Sequence, residues 1–224
     1  ERESRPQAGE WVAALRAELA GGAAAFADNP FRGLSAFDER HAQFFFGRED
    51  EIDAFVERLR HSPTLPIVGP SGVGKSSFLF AGIVPRLRGS ARWTVVASRP
   101  GNDPITALAH RLITATEGVS EAVVDSPDRA QVAALAEELR VQPSLLAHRL
   151  ATIAMLTQTR VLLAIDQLEE LFTQGVAPRD VECFLGMLAQ AADDPTDPVR
   201  VTYTLRDDFL GRVPAIQALF VLRR

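Results

Sequence analysis

The stretch that most constrains the fold is residues 68–78, VGPSGVGKSSF. Residues 69–76 fit the pattern G-x-x-x-x-G-K-[ST] in full, after the short apolar run TLPIVGP and before a segment with helical spacing. A glycine-rich loop between a strand and a helix turns backbone N–H groups toward a phosphate, and the helix adds the positive end of its dipole. The pattern therefore predicts a phosphate-binding loop at the end of a strand.

The single lysine of the chain lies inside this loop. Lys75 stands alone against arginine, which supplies the other 23 of the 24 Lys and Arg side chains. A compact ammonium fits the narrow space of such a loop, whereas a planar guanidinium does not. We expect Lys75 to bridge the β- and γ-phosphates, Ser76 to bind Mg²⁺ and Ser77 to donate to the α-phosphate. The expected nucleotide-binding residues of the loop are Gly69, Pro70, Ser71, Gly72, Val73, Gly74, Lys75, Ser76 and Ser77.

An acidic motif follows a second apolar run, in VLLAIDQLEELF. The run is typical of a strand buried on both faces of a parallel sheet, with Asp166 at its carboxyl end. A carboxylate in that place holds Mg²⁺ through water, so Asp166 is the expected metal-linked acid. Glu169 or Glu170 would orient and activate the attacking water. The alternative is that both glutamates stabilise a helix N-terminus, worth about 0.3–1 kcal/mol. The residues alone leave open which one faces the phosphate.

The segment RVTYTLRDD predicts a further strand that ends in a polar cluster, with Arg206 at its tip. If this strand lies between the two motif strands, Arg206 reaches the γ-phosphate and reports its presence. The alternative is a surface arginine paired with Asp207 or Asp208, which contributes little to stability. The segment by itself does not decide between the two.

Composition excludes several classes of protein. Apolar residues make up 46% and charged residues 24%, the balance of an ordinary globular domain. The net charge of -5 gives no electrostatic case for binding nucleic acid directly. Cys183 is the only cysteine, which rules out an intramolecular disulfide and fits a reducing, cytoplasmic compartment. No apolar run approaches the roughly 20 residues that span a bilayer. The chain begins at Glu1 and ends in FVLRR, so we expect it to be a fragment of a longer protein.

Strands and helices alternate from Pro30 onward, which predicts an α/β sandwich around a mainly parallel sheet. The expected strands lie in TLPIVGP, RWTVVASR, RVLLAID and VRVTYTLR. The expected helices are SSFLFAGIVPRL as far as Pro85, DPITALAHRLITAT, SPDRAQVAALAEELR, PSLLAHRLATIAML and PRDVECFLGMLAQAA.

Two segments precede the phosphate loop. Residues 1–28 are expected to form a linker with a short amphipathic helix at EWVAALRAELA, and residues 29–224 the phosphate-loop domain. Within that domain, FFFGREDEIDAFVERL predicts a loop entering an amphipathic helix. Phe44, Phe45 and Phe46 are then expected to be core packing residues.

Five segments occur in order along the chain: NPFRGLSAFDERHAQFFFGREDEI, GPSGVGKSSFL, ASRPGNDPITAL, LLAIDQLEELF and TLRDDFLGRV. Together they resemble the STAND class of signal-transduction ATPases, and more narrowly its bacterial novel-STAND group, over roughly residues 29–224. The resemblance implies a three-layer P-loop NTPase fold with strand order 2-3-4-1-5. From the resemblance, we expect the fifth strand to lie partly in ALFVLRR and the C-terminal lid segments of the class to be absent from this chain.

For the site, the resemblance implies that Arg206 is a sensor, because the order places its strand between the motif strands. It also implies that Gly47 and Arg48 contact the adenine side, with Phe46 lining the pocket. DQLEE matches the D-x-x-[DE]-E spacing of related ATPases, which favours Glu169 or Glu170 as the water-orienting acid.

For the activity, the resemblance implies an ATP/ADP-binding switch with slow Mg²⁺-dependent hydrolysis. ADP would hold a closed monomer, and exchange for ATP would allow self-association that activates an effector, with sensor and effector domains outside this chain. The class would suit bacterial defence or stress signalling. Two alternatives stay open: a nucleotide-binding scaffold without turnover, and a metabolic P-loop kinase. A GTPase is less favoured because the chain has no N-K-x-D motif.

Overall fold

The computed structural model describes residues 35–90, 92–117, 127–192 and 194–211. The chain divides into two units, Glu1–Ser35 and Ala36–Arg224, and every element below belongs to the second. The strands are β1 Thr64–Gly69, β2 Trp93–Ser98, β3 Arg160–Ile165 and β4 Val199–Arg206. They form one parallel sheet in the order β1-β4-β3-β2. The expected α/β class is confirmed, and β4 lies between the two motif strands as the resemblance implied.

Helices cover both faces of this sheet, which gives the three expected layers. They are α1 Glu49–His61, α2 (residues 75–88), α3 Pro104–Glu117, α4 Arg129–Val141, α5 Leu145–Thr157, α6 Glu170–Thr173 and α7 Pro178–Ala191, with 3₁₀ helices at Glu39–Phe44 and Asp207–Phe209. β3 shows why the layers form. Leu162 and Ala164 pack with α1 and α2 on one face, whereas Val161, Leu163 and Ile165 pack with α3, α4, α5 and α7 on the other.

Helix α2 runs further than its sequence predicts. It is α-helical over Lys75–Ser77, π-helical over Phe78–Ile83 and α-helical again over Val84–Arg88. Our expectation that it ends at Pro85 is wrong. Pro85 lies in the first turn of the last segment, where its missing N–H and fixed φ are tolerated.

The phenylalanines before α1 do not all pack in the core. Phe45 packs against the apolar cluster on the face of the sheet that α1 and α2 cover. Phe46, by contrast, is 75% exposed. The expectation of core packing is therefore wrong for Phe46.

Arg200 at the start of β4 fastens the sheet to α1. It is 1% exposed and donates to the carbonyl oxygens of Leu59 and Arg60, at 3.0 and 3.2 Å, in the last turn of that helix. It also donates to Pro195 at 2.9 Å and Asp197 at 2.6 Å in the preceding loop. A cation at a helix C-terminus satisfies carbonyls that have no partner within the helix. Arg200 therefore fixes where β4 begins.

Some sequence predictions fall outside the described residues. The helix expected within residues 10–20 and the fifth strand expected in residues 218–224 are among them, and the domain boundary at residues 28/29 stays a prediction. No helix in the described ranges is long and apolar enough to cross a bilayer.

Candidate functional site

The predicted site residues meet at the carboxyl edge of the sheet. β1 ends at Gly69, which pairs in register with Arg206 at the end of β4. On the other side of β4, Ile165 pairs with Tyr203, so that Asp166 follows directly beyond the end of β3. Parallel strands bring their carboxyl ends to one edge, where ligands of such sheets bind. Residues far apart in sequence thus become neighbours.

The phosphate loop joins β1 to α2 in the predicted place. Gly72 and Gly74 adopt φ angles of +80° and +86°, a left-handed conformation that favours glycine. The Lys75 ammonium donates to the carbonyl oxygens of Gly69 and Pro70, both at 2.8 Å. The side chain therefore folds back over the loop and places its charge at the loop mouth.

The rest of the loop is divided between solvent and the protein. Ser71 and Val73 are exposed, whereas Ser77 is buried behind the loop. The Ser77 hydroxyl oxygen accepts a hydrogen bond from the backbone N–H of Phe37 at 3.1 Å. This bond ties the segment before α1 to the start of α2.

Asp166 is 6% exposed and is the polar centre of the edge. Its Oδ1 accepts hydrogen bonds from the hydroxyls of Ser76 and Thr204, both at 2.7 Å. Serine and carboxylate oxygens are the hard ligands that Mg²⁺ prefers. No cluster of three or more His, Cys, Asp or Glu side chains suited to a metal occurs in the described part of the chain.

The two glutamates of the acidic motif have different surroundings. Glu170 is buried, with Oε1 2.8 Å from Nε of Arg99 and Oε2 3.0 Å from the backbone nitrogen of Gly101. Oε2 of Glu169 is also buried, but no described residue donates a hydrogen bond to it. Glu170 is the first residue of the four-residue helix α6 and Glu169 is its N-cap. Both glutamates therefore lie at a helix N-terminus, as the alternative drawn from the sequence expects. Of the two, only Glu169 has a carboxylate oxygen without a partner in the described part of the chain.

Arg206 stands beside the phosphate loop but already has an ionic partner. Its Nε and Nη2 donate to the two carboxylate oxygens of Asp208, at 3.0 and 2.8 Å. The side chain is 40% exposed and its guanidinium lies 5.5 Å from the centre of the Phe209 ring. The position of Arg206 beside the phosphate loop suits a sensor of the γ-phosphate. Its ion pair with Asp208 is the alternative that the sequence left open.

The expected adenine-side residues lie at the entrance to α1. The Arg48 guanidinium stacks 4.4 Å from the centre of the Phe78 ring, at the start of the π-helical turn. Arg48 also donates to Glu51, and this side-chain hydrogen bond lowers the pKa of the Glu51 carboxyl. The Gly47 N–H donates to Glu49 at 3.1 Å, and the neighbouring Phe46 ring is free of the core. Of the three expected adenine-side residues, Arg48 contacts the phosphate-loop helix, through its stacking on Phe78.

Sequence reasoning missed Thr204, Arg99 and Gly101. The available signal for Thr204 was its hydroxyl inside the predicted strand VTYTL, because a hydroxyl that is buried in a sheet needs a hydrogen-bond partner. For Arg99, the signal was a charged side chain directly after β2, at the carboxyl edge of the sheet.

Comparison with known proteins places the chain in a family. A family model described as novel STAND NTPase 1 matches residues 30–222. No curated protein matches the sequence. A solved structure of the Aeropyrum pernix ORC2 protein, in ADPNP-ADP complexes, is similar with a TM-score of 0.51 at 14% identity. The match covers 85% of this chain and 49% of that one, so this chain spans about half of its length. At such identity the likeness shows the fold alone.

Proposed function

The chain belongs to the novel STAND NTPase 1 family, and from that premise we propose that it is an ATP- and ADP-binding switch with slow ATP hydrolysis. The phosphate loop would receive the nucleotide, and the change from ATP to ADP would change the state of the protein. The observation that carries the proposal is the convergence of Ser76 and Thr204 on Asp166 Oδ1, both at 2.7 Å. It joins the loop to the acidic strand in the arrangement that phosphoryl-transfer sites need.

Each group then has a separate role. The loop N–H groups and the dipole of α2 attract the phosphates, and the Lys75 ammonium exchanges its two carbonyl partners for phosphate oxygens. The Glu169 carboxylate orients the attacking water, because its Oε2 is buried and has no partner among the described residues. Arg206 leaves Asp208 to contact the γ-phosphate when ATP is bound.

Ser76 and Asp166 would hold Mg²⁺, the serine directly and the aspartate through water. The ion would supply positive charge against the phosphate oxygens. The chain's own contribution is to hold the Asp166 carboxylate in one orientation through the two hydroxyls that donate to it.

The wider role follows the resemblance. We propose that ADP favours a closed monomer and that ATP favours self-association, which would activate an effector fused to or bound by the complete protein. A cytoplasmic, bacterial signalling or defence setting is part of the same proposal. Phe46, Gly47 and Arg48 would contact the adenine, since Arg48 stacks on Phe78 of α2 and Gly47 and Phe46 precede it in the chain.

Nucleotide content and turnover test this proposal together. Purified protein is denatured without added nucleotide, and the released nucleotide is identified by anion-exchange chromatography. Phosphate release from ATP is then measured with Mg²⁺ and with EDTA. Bound ADP and a slow release that EDTA stops would support the switch. A protein that binds neither ATP nor ADP would overturn it.

One observation favours a second function, a nucleotide-binding scaffold without turnover. The bidentate pair of Arg206 with Asp208 keeps the sensor arginine engaged. If the protein is such a scaffold, ATP and ADP bind with equal affinity and no phosphate is released. Asp208→Ala separates the two functions: it frees Arg206 and strengthens ATP binding relative to ADP only if Arg206 is a sensor.

A further inference from the structure

The turn after Asp166 is held from both neighbouring strands of the sheet. Gln167 has a φ of +55°, an unusual conformation for a residue other than glycine. On the β4 side, Thr204 accepts two hydrogen bonds from the turn: its Oγ1 lies 2.7 Å from the Gln167 nitrogen and its carbonyl oxygen 3.0 Å from the Leu168 nitrogen. Such a strained residue persists only where its surroundings hold it.

On the β2 side, the turn is held through Glu170. The Nε and Nη2 atoms of Arg99 lie 2.8 and 2.6 Å from Oε1 of Glu170. The backbone N–H of Gly101 donates to Oε2 at 3.0 Å. Both oxygens are thus used by the loop after β2, and the Glu170 side chain is only 10% exposed. We name this set, Arg99, Gly101 and Glu170, the loop clamp.

The loop that carries the clamp is itself anchored at its other end. Asp103 accepts a hydrogen bond from the Thr106 N–H at 3.2 Å in the first turn of α3. It also accepts one from Nη2 of Arg140 in α4 at 3.1 Å, and Arg140 lies 3.5 Å from Asp180 in α7. The loop is therefore bound directly to α3 and α4, and through Arg140 to α7, so it can impose a position on Glu170.

We propose that Arg99 is a positioning residue for ATP hydrolysis. It acts through Glu170 to hold the turn 167–170, and so keeps the Glu169 carboxylate where it can orient water. The inference rests on the proposed function and adds a role for ASRPGND, a motif to which no role was assigned above. It also makes Glu170 a structural partner of Arg99 rather than the water-orienting acid.

The physical reason is the burial of the Glu170 carboxylate. A buried carboxylate that loses its cation is costly to keep ionised, because little water is available to solvate it. Without Arg99, the carboxylate would turn toward solvent and the turn would follow it. Small displacements of a catalytic group reduce the rate strongly, whereas binding of the nucleotide at the phosphate loop needs neither residue.

The test uses Arg99→Ala, Glu170→Gln and the double variant, with Arg111→Ala as the matched control. Arg111 is an exposed arginine in α3 that has no ionic partner among the described residues. We expect Arg99→Ala to lower kcat roughly ten- to a hundredfold and to leave the Kd for ADP within about twofold. The double variant should lose no more than the stronger single variant, because both remove the same contact. Arg111→Ala should behave as the wild type.

A second measurement reports on the turn without turnover. Hydrogen exchange of the amides in residues 167–171 should become faster in Arg99→Ala and stay unchanged in Arg111→Ala. Wild-type exchange, wild-type kcat, or multiplying losses in the double variant would each overturn the inference. An Arg99→Ala variant that loses ADP affinity as much as kcat would make the clamp merely structural, which also overturns it. If wild-type protein binds ADP and never releases phosphate, the hydrolysis in the proposed function is wrong, and Arg99 cannot position a group for it. The hydrogen-exchange data would still show whether the loop clamp holds the turn.

Discussion

The Ser76 hydroxyl lies 2.7 Å from Oδ1 of Asp166, although 90 positions of sequence separate the two residues. The bond joins the first turn of α2 to the end of β3, so the phosphate loop and the acidic strand share one hydrogen-bond network. Thr204 donates to the same oxygen from β4, which lies between them. The Asp166 carboxylate is therefore held in one orientation before any ligand arrives.

Removing the Thr204 hydroxyl should affect both stability and the metal response. Thr204→Val deletes the donor to Asp166 and leaves the Gln167 N–H without its acceptor. We expect a loss of about 1–3 kcal/mol in the free energy of unfolding, measured by urea denaturation. We also expect ATP binding to depend less on Mg²⁺, because the Asp166 carboxylate is no longer oriented.

Thr202→Val is the control for that change. Thr202 lies in β4, as Thr204 does. Its hydroxyl donates to the Leu65 carbonyl of β1 at 2.7 Å and not to Asp166. It should cost a similar amount of stability and leave the Mg²⁺ dependence of binding intact. Equal Mg²⁺ dependence in both variants would contradict the role given to Thr204.

Glu169→Gln should separate binding from turnover. The substitution keeps the shape of the side chain and removes the charge that orients water. We expect an unchanged Kd for ATP and a kcat at least roughly a hundredfold lower, measured by single-turnover phosphate release. Glu182→Gln, at an exposed position of α7, is the matched control. Undiminished turnover in Glu169→Gln would transfer the role to another group.

Arg200→Met should weaken the fold without touching the site. The guanidinium is buried and donates to five backbone carbonyl groups, those of Leu59, Arg60, Pro195, Asp197 and Val199. Since bonds from a charged group are stronger than neutral ones, we expect a loss of about 3 kcal/mol or more in the free energy of unfolding.

The control for that loss is Arg86→Met. Arg86 pairs with Asp53 at the surface, at 2.6 Å, and should lose less than about 1 kcal/mol. Similar losses in the two variants would show that the buried position of Arg200 is not what matters.

Cys183 should react slowly with iodoacetamide in the native state. Burial raises the pKa of its thiol, and the nearby Asp180 charge raises it further. Only the thiolate reacts, so a raised pKa means less reactive thiol at any pH below that value. At pH 8 the native protein should be alkylated more slowly than the urea-unfolded protein. As the pH is raised, the alkylation rate of the native protein should keep increasing beyond the ordinary pKa of cysteine. Equal rates at pH 8 would contradict this environment.

Local patterns account for the parts of the fold that could be predicted. The phosphate loop, the four strands and the helices after them carry their signals within short segments, and the order of the strands came from the resemblance. The continuation of α2 past Pro85 could not be predicted from the sequence. Proline is tolerated in the first turn of a helical segment, and no local signal marks the start of such a segment inside a longer helix.

Contacts between distant segments account for most of what could not be predicted. Arg99 and Glu170 are 71 positions apart, and nothing in ASRPGND or DQLEELF indicates that they pair. The different surroundings of Glu169 and Glu170 depend on that pair, which is why the sequence left their roles open. Phe46 is exposed while its neighbour Phe45 packs, a distinction that depends on how the segment enters α1.

The central claim is that the loop around Lys75 binds the phosphates of ATP and ADP, and calorimetric titration of nucleotide-free protein with Mg²⁺ and ADP tests it most directly. Wild-type protein should bind one ADP per chain, and Lys75→Ala, folded as judged by circular dichroism, should bind roughly a hundredfold more weakly or not at all. Wild-type protein without saturable binding, or equal affinity in the two proteins, would contradict the claim.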